Sequence, residues 1–86
     1  MFKIAVLAST KGTDLQAIIN SIKKKRLNVE LSAVISNKQH CYAIKRSKKA
    51  GIKTCFVDPK GKIREEFDEE IMEILDEYQI DLLVLV

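Results

Sequence analysis

Phe2-Lys3-Ile4-Ala5-Val6-Leu7-Ala8-Ser9-Thr10-Lys11-Gly12-Thr13-Asp14-Leu15-Gln16-Ala17-Ile18-Ile19-Asn20-Ser21-Ile22 is the stretch that decides the fold. It opens on a nearly continuous run of Ile, Ala, Val and Leu. Such a run suits a strand covered on both faces, as in a parallel sheet, better than a half-exposed hairpin. A short loop with a single glycine follows. Beyond it, Leu15, Ile18, Ile19 and Ile22 recur at i, i+3, i+4 and i+7, the stripe of an amphipathic helix. The opening is therefore a strand, a tight loop and a helix.

Working outward, the same alternation repeats. Strand-length apolar runs lie at 2–8, 30–36, 53–57 and 81–86. Helix-length segments are expected over Thr13–Lys25, Lys38–Lys49 and Arg64–Tyr78. Gly51 stands where a helix C′ residue belongs. Asp58-Pro59-Lys60-Gly61 is turn chemistry ahead of the third helix. The third helix carries Phe67, Ile71, Ile74, Leu75 and Tyr78 on one stripe. The order β-α-β-α-β-α-β predicts an α/β fold, a Rossmann-like three-layer unit on a parallel sheet with right-handed crossovers. With 86 residues, one small domain over 1–86 is the ceiling.

Composition narrows the function classes. Apolar residues make up 47% and charged residues 31%, a globular balance. No apolar run approaches the ~20 residues of a membrane helix, and the first run is too short for a signal peptide before its glycine turn. A cytoplasmic protein with no membrane contact is expected. Fifteen basic against twelve acidic residues give a net charge of +3, too mild to imply nucleic acid. The basic runs Lys23-Lys24-Lys25-Arg26 and Lys45-Arg46 with Lys48-Lys49 read first as solvated faces. The alternative is attraction of an anionic ligand, but no aromatics interleave to stack bases. Cys41 and Cys55 have no paired spacing, and with a single histidine no zinc set exists. Both read as free thiols, Cys55 as a small core residue. The carboxylates of 65–77 spread around their helix and read as a solvated face. His40 has no partner arrangement that suggests catalysis.

The candidate site is the first loop. Thr10, Lys11, Gly12, Thr13 and Asp14 lie where a doubly wound protein holds a phosphate, with free N–H groups and the helix dipole favouring an anion. The competing reading is an ordinary capped turn. The loop has neither G-x-G-x-x-G nor a P-loop pattern, and Ser36-Asn37-Lys38 supplies no acid for a ribose diol, which argues against NAD. Asn37, at the end of the second strand, is either a cap for helix two or a polar contact at the ligand mouth.

Leu7-Ala8-Ser9-Thr10-Lys11-Gly12-Thr13-Asp14-Leu15-Gln16-Ala17-Ile18-Ile19 resembles the opening of the glycinamide ribonucleotide formyltransferases, which read Ser-Gly-x-Gly-Ser-Asn-Leu-Gln-Ala-Ile. Val34-Ile35-Ser36-Asn37-Lys38, Lys49-Ala50-Gly51-Ile52, Arg64-Glu65-Glu66-Phe67-Asp68 and Asp81-Leu82-Leu83-Val84-Leu85 extend the similarity along the chain. The resemblance implies purine biosynthesis, with a formyl group passing from 10-formyltetrahydrofolate to the amine of glycinamide ribonucleotide. It places Gly12, Thr13 and Asp14 at the ribonucleotide phosphate. Thr10 replaces the family's first loop glycine and Asp14 its asparagine. A carboxylate ~5 Å from a phosphate charge costs roughly 1 kcal/mol in water and ~3 at an effective dielectric near 20, which Lys11 and the helix dipole oppose.

By the same resemblance, the family's catalytic asparagine, histidine and aspartate fall after the fourth strand, as does most of the folate pocket. The expectation is an N-terminal mononucleotide-binding unit, inactive alone and without metal. A complementing catalytic half or a second copy would meet it along the apolar edge of strand four. The alternative is a non-catalytic module for a phosphorylated metabolite or for dimerisation.

Overall fold

The computed structural model describes residues 1–8, 13–38 and 41–85, the side chain of Thr13 excepted. Seven elements follow in order: β1 (Lys3–Leu7), α1 (Thr13–Lys23), β2 (Glu30–Ser36), α2 (Tyr42–Lys49), β3 (Thr54–Phe56), α3 (Arg64–Glu77) and β4 (Leu82–Leu85). The four strands form one parallel sheet in the order β3-β2-β1-β4. The expected α/β architecture is the observed one.

Side chains alternate across the sheet with period two, and this sorts the core. Val6, Ala8 and Val34 face α1 and α2, packing with Leu15, Ile19 and Ala43. Ala5, Ala33 and Ile35 face α3, packing with Ile71 and the half-buried Phe67, Ile74 and Leu75. Central β1 is thus covered on both faces, as its unbroken apolar run requires. Its register with β2 shifts between Ile4 and Ala5. At the other side of β1, the Lys3 N–H donates to the Asp81 carboxylate at 2.7 Å and the Asp81 N–H returns to the Lys3 carbonyl at 2.8 Å. These two bonds set where β4 begins.

All three helices end alike. Lys25, Gly51 and Gln79 have φ of 60°, 76° and 55°. In each case the next N–H reaches back across the last turn: Arg26 to Ser21 (2.9 Å), Ile52 to Ser47 (2.9 Å) and Ile80 to Leu75 (2.8 Å). These are Schellman terminations, which give the last carbonyls their donors. Gly51 carries the left-handed conformation at no steric cost. Lys25 and Gln79 carry it against their Cβ atoms, and composition gives no sign of that.

Most elements are a residue or so shorter at their ends than the sequence reading, and three differences have a structural consequence. Helix one stops at Lys23, not Lys25, because the Schellman turn unwinds it. Helix two begins at Tyr42, not Lys38. Lys38 is instead tied to Ser36, whose hydroxyl accepts the Lys38 N–H at 3.0 Å and donates to the Lys38 carbonyl at 2.9 Å. That turn holds Lys38 out of a helix, and Cys41, extended at φ −95° and ψ 162°, is the actual N-cap. Asn37 is therefore not the cap of helix two. Strand four, expected from Asp81 to Val86, is described from Leu82 to Leu85. Its Leu82 and Leu85 are 52% and 70% exposed, while Leu83 and Val84 pack half-buried on opposite faces, so the two-sided cover its composition suggests is only partial.

The charged segments behave as solvated faces. Lys23, Lys24, Lys25 and Arg26 are exposed, as are most carboxylates of α3. Half-buried Glu70 is paired with Lys62 at 2.8 Å. Cys55 is half-buried against the α3-side core.

Two substitutions test this arrangement by urea unfolding. Leu15→Ala empties a fully buried position under β1 and is expected to cost about 2–5 kcal/mol. Gln79→Gly relieves a left-handed residue and is expected to raise stability by about 1 kcal/mol.

Candidate functional site

The strand order fixes where a ligand can sit. From β1 the chain moves to β2 and β3 on one side, then returns through α3 to β4 on the other side of β1. The direction of progression reverses at β1, and open α/β sheets bind ligands beyond the carboxyl ends of the strands at such a reversal. The β1–α1 connection leaves from this point. Ala8 N–H still bonds the Ile35 carbonyl at 2.9 Å, so the carboxyl ends of β1 and β2 stay side by side.

Of the loop residues singled out in the sequence, Thr10, Lys11 and Gly12 lie outside the described residues, as do His40 and the side chain of Thr13. The backbone of Thr13 begins α1. Asp14 is exposed in the first turn of α1, where a carboxylate gains from the N-terminal end of the helix dipole. Leu15, its neighbour, is fully buried between β1 and β2 and anchors the helix start. Gln16 is tied outward: Arg46 donates to its Oε1 at 3.2 Å, and its Nε2 donates to Asn20 Oδ1 at 3.1 Å. That pair clamps α2 against α1.

At the end of β2, Ser36 is fully buried and organises the edge. Next to it, Asn37 Oδ1 is buried with no hydrogen-bond partner among the described residues. An acceptor left this way costs about 1–3 kcal/mol. With the amide oriented as here, the position calls for a hydrogen-bond donor.

Cys41, read from the sequence only as a free thiol, has surroundings that the sequence did not announce. Its Sγ lies 3.4 Å from Ser36 Oγ, and it packs against the α1–α2 core cluster. Burial pushes the thiol up. The Ser36 hydroxyl and the N–H groups of Ile44, Ala43 and Cys41 itself outweigh that and hold it below the ordinary thiol value. A hydroxyl has one proton, so the Ser36 hydrogen that faces a Cys41 thiolate must leave the Lys38 carbonyl. No spacing in the sequence announces this contact, because it depends on where α2 starts. Among the described residues no cluster of His, Cys, Asp and Glu could hold a metal ion, and no helix is long and apolar enough to cross a membrane.

Comparison with known proteins agrees with this geometry. A family model described as formyl transferase matches residues 2–86. Phosphoribosylglycinamide formyltransferase of Dictyostelium discoideum is 44% identical, over 98% of this chain and 45% of its own length. The protein of that name from Escherichia coli (strain K12) is 36% identical, over 95% of this chain and 39% of its own. Among solved structures, glycinamide ribonucleotide transformylase 1 from Symbiobacterium toebii superposes with a TM-score of 0.93 at 35% identity, covering 99% of this chain and 41% of that one. The chain thus spans less than half the length of these relatives.

The Cys41 geometry has a direct test in the pH dependence of its alkylation. The midpoint for Cys41 is expected below that of an ordinary thiol, and Ser36→Ala is expected to move it upward. The reactive form is the thiolate, so the rate should rise as pH passes upward through the midpoint.

From its first strand to its last, by sequence pattern, sheet order and superposition alike, this chain belongs to the formyl transferase family.

Proposed function

We propose that this chain is the N-terminal, ribonucleotide-binding unit, over residues 1–86, of a phosphoribosylglycinamide formyltransferase of purine biosynthesis. The observation that carries the reading is the start of α1 at the carboxyl end of β1, at the reversal point of the sheet, in a chain whose relatives bear that name. Thr10, Lys11, Gly12, Thr13 and Asp14 are the residues assigned to the phosphate, held by N–H groups, hydroxyls, the Lys11 ammonium and the helix dipole. The Asp14 carboxylate opposes that charge and is best tolerated turned to solvent, where it is exposed.

Asn37 takes a different part. A phosphate dianion accepts hydrogen bonds and so does Asn37 Oδ1. The group that satisfies this oxygen is a donor, such as a ribose hydroxyl or the amine of glycinamide ribonucleotide. Asn37 would then read the substrate's sugar or amine end while the first loop reads its phosphate.

The 10-formyltetrahydrofolate of the family is a substrate of the whole enzyme. The described side chains at the carboxyl edge are hydrogen-bonding groups suited to the ribonucleotide, and no part of the folate is assigned to them. The groups that move protons during formyl transfer are assigned by the resemblance to positions after β4. Exposed Leu82 and Leu85 favour a complementing half, or a second copy of the chain, along the β4 edge. A cytoplasmic location accords with a biosynthetic role.

Amide NMR titration with glycinamide ribonucleotide, with inorganic phosphate as the control, tests the reading. Saturable shifts at 9–14 and 36–38, stronger for the nucleotide, are expected. Asn37→Ala should weaken the nucleotide by about tenfold while changing phosphate little. The chain by itself should consume no 10-formyltetrahydrofolate when glycinamide ribonucleotide is present. An absence of shifts at millimolar nucleotide would favour the non-catalytic dimerisation module instead.

A further inference from the structure

At the opposite end of the sheet from the candidate site, the C-terminal end of α1, the start of β2 and the Ala50–Ile52 segment enclose an open cavity of about 660 Å³. That volume falls within the range of about 300–1,000 Å³ usual for small-molecule sites. Its apolar lining is aliphatic: Ile19, Leu31 and Ile52 belong to or pack against the α1–α2 core, and Ile22 and Leu27 stand nearer solvent. Among the described residues, no aromatic side chain lines it. It offers no platform for stacking a planar ring, whereas a flexible alkyl chain can follow such a surface.

Its charge comes from the basic run that the candidate site leaves unused. Lys23 and Lys25 both line the cavity, are exposed, and have no ion-pair partner among the described residues. Lysine suits this place, since its methylene stem can lie along apolar surface while the ammonium stays in water. The one carboxylate of the lining, Glu30, already accepts the Ser32 hydroxyl at 2.8 Å. Two free cations against one engaged carboxylate leave the mouth positive.

We propose that this cavity binds a free, monomeric aliphatic carboxylate, its alkyl chain against Ile19, Ile22, Leu31 and Ile52 and its head group between Lys23 and Lys25. The site is separate from the carboxyl edge and does not depend on the function proposed there.

The probes are decanoate and decyltrimethylammonium, which share an alkyl chain and carry opposite heads, each kept below its micelle threshold. Amide NMR should show saturable shifts for decanoate confined to residues 19–31 and 50–52. Two cations at an exposed mouth are expected to make the cationic probe about fivefold weaker than decanoate. The double variant Lys23→Glu, Lys25→Glu should weaken decanoate by at least a similar factor and reverse the preference toward the cationic probe. Ile22→Ser should weaken both probes, with unchanged spectra elsewhere showing that the fold is intact. Equal affinity for the two heads, shifts spread over the whole surface, or binding only to decanoate assembled in micelles or vesicles would each overturn the proposal.

Discussion

The position of β1 at the centre of the sheet is the constraint on which the rest depends. It pairs with β2 on one side and β4 on the other, and both of its faces are covered. A strand in that position must be apolar at every interior place, and Ile4-Ala5-Val6-Leu7 is. Small Ala5, and Ala8 just past the strand's end, let helices approach from opposite sides. Because β1 lies where the direction of strand addition reverses, the same constraint that buries it also sets its carboxyl end at the crevice where open α/β sheets bind ligands. Stability and site are thus consequences of one placement.

The crevice is shaped by two buried anchors. Leu15 ties the first turn of α1 to the sheet, so the helix N-terminus cannot drift from the end of β1. Ser36, buried at the end of β2, spends its hydroxyl on Lys38 and lies against Cys41. That arrangement delays α2 until Tyr42 and leaves Asn37 Oδ1 inside without a donor among the described residues. One serine thereby determines both a helix boundary and the hydrogen-bonding character of the neighbouring residue. The Arg46–Gln16–Asn20 contacts hold α2 to α1 and keep the two sides of the crevice in fixed relation.

The two ends of the sheet differ in chemistry. The carboxyl end gathers the hydrogen-bonding groups of Ser36, Asn37 and Cys41 beside the end of β2. The amino end gathers aliphatic side chains with lysines at the mouth. The left-handed Lys25 ends α1 and turns the chain toward β2, which forms one wall of that second cavity.

The element order and the parallel sheet were legible in the sequence, because hydrophobic period is a local property and each run carries its own. The unbroken run of β1, the Leu15–Ile22 stripe and the Phe67–Tyr78 stripe needed no partner to be read. The first loop was legible as a candidate for the same reason, since it lies between a recognisable strand and a recognisable helix. Tertiary structure alone decided what depends on residues distant in the chain or on backbone geometry without a compositional mark. Left-handed Lys25 and Gln79 look like ordinary helix formers until the sheet requires the chain to turn back. Cys41 looks like an isolated thiol until Ser36 moves the start of α2 to meet it. Asn37 looks like a cap until its oxygen is found buried with no partner among the described residues. Pattern reports which surfaces must be hidden, whereas hydrogen-bond satisfaction depends on what hides them, and that is settled only when the strands are in register.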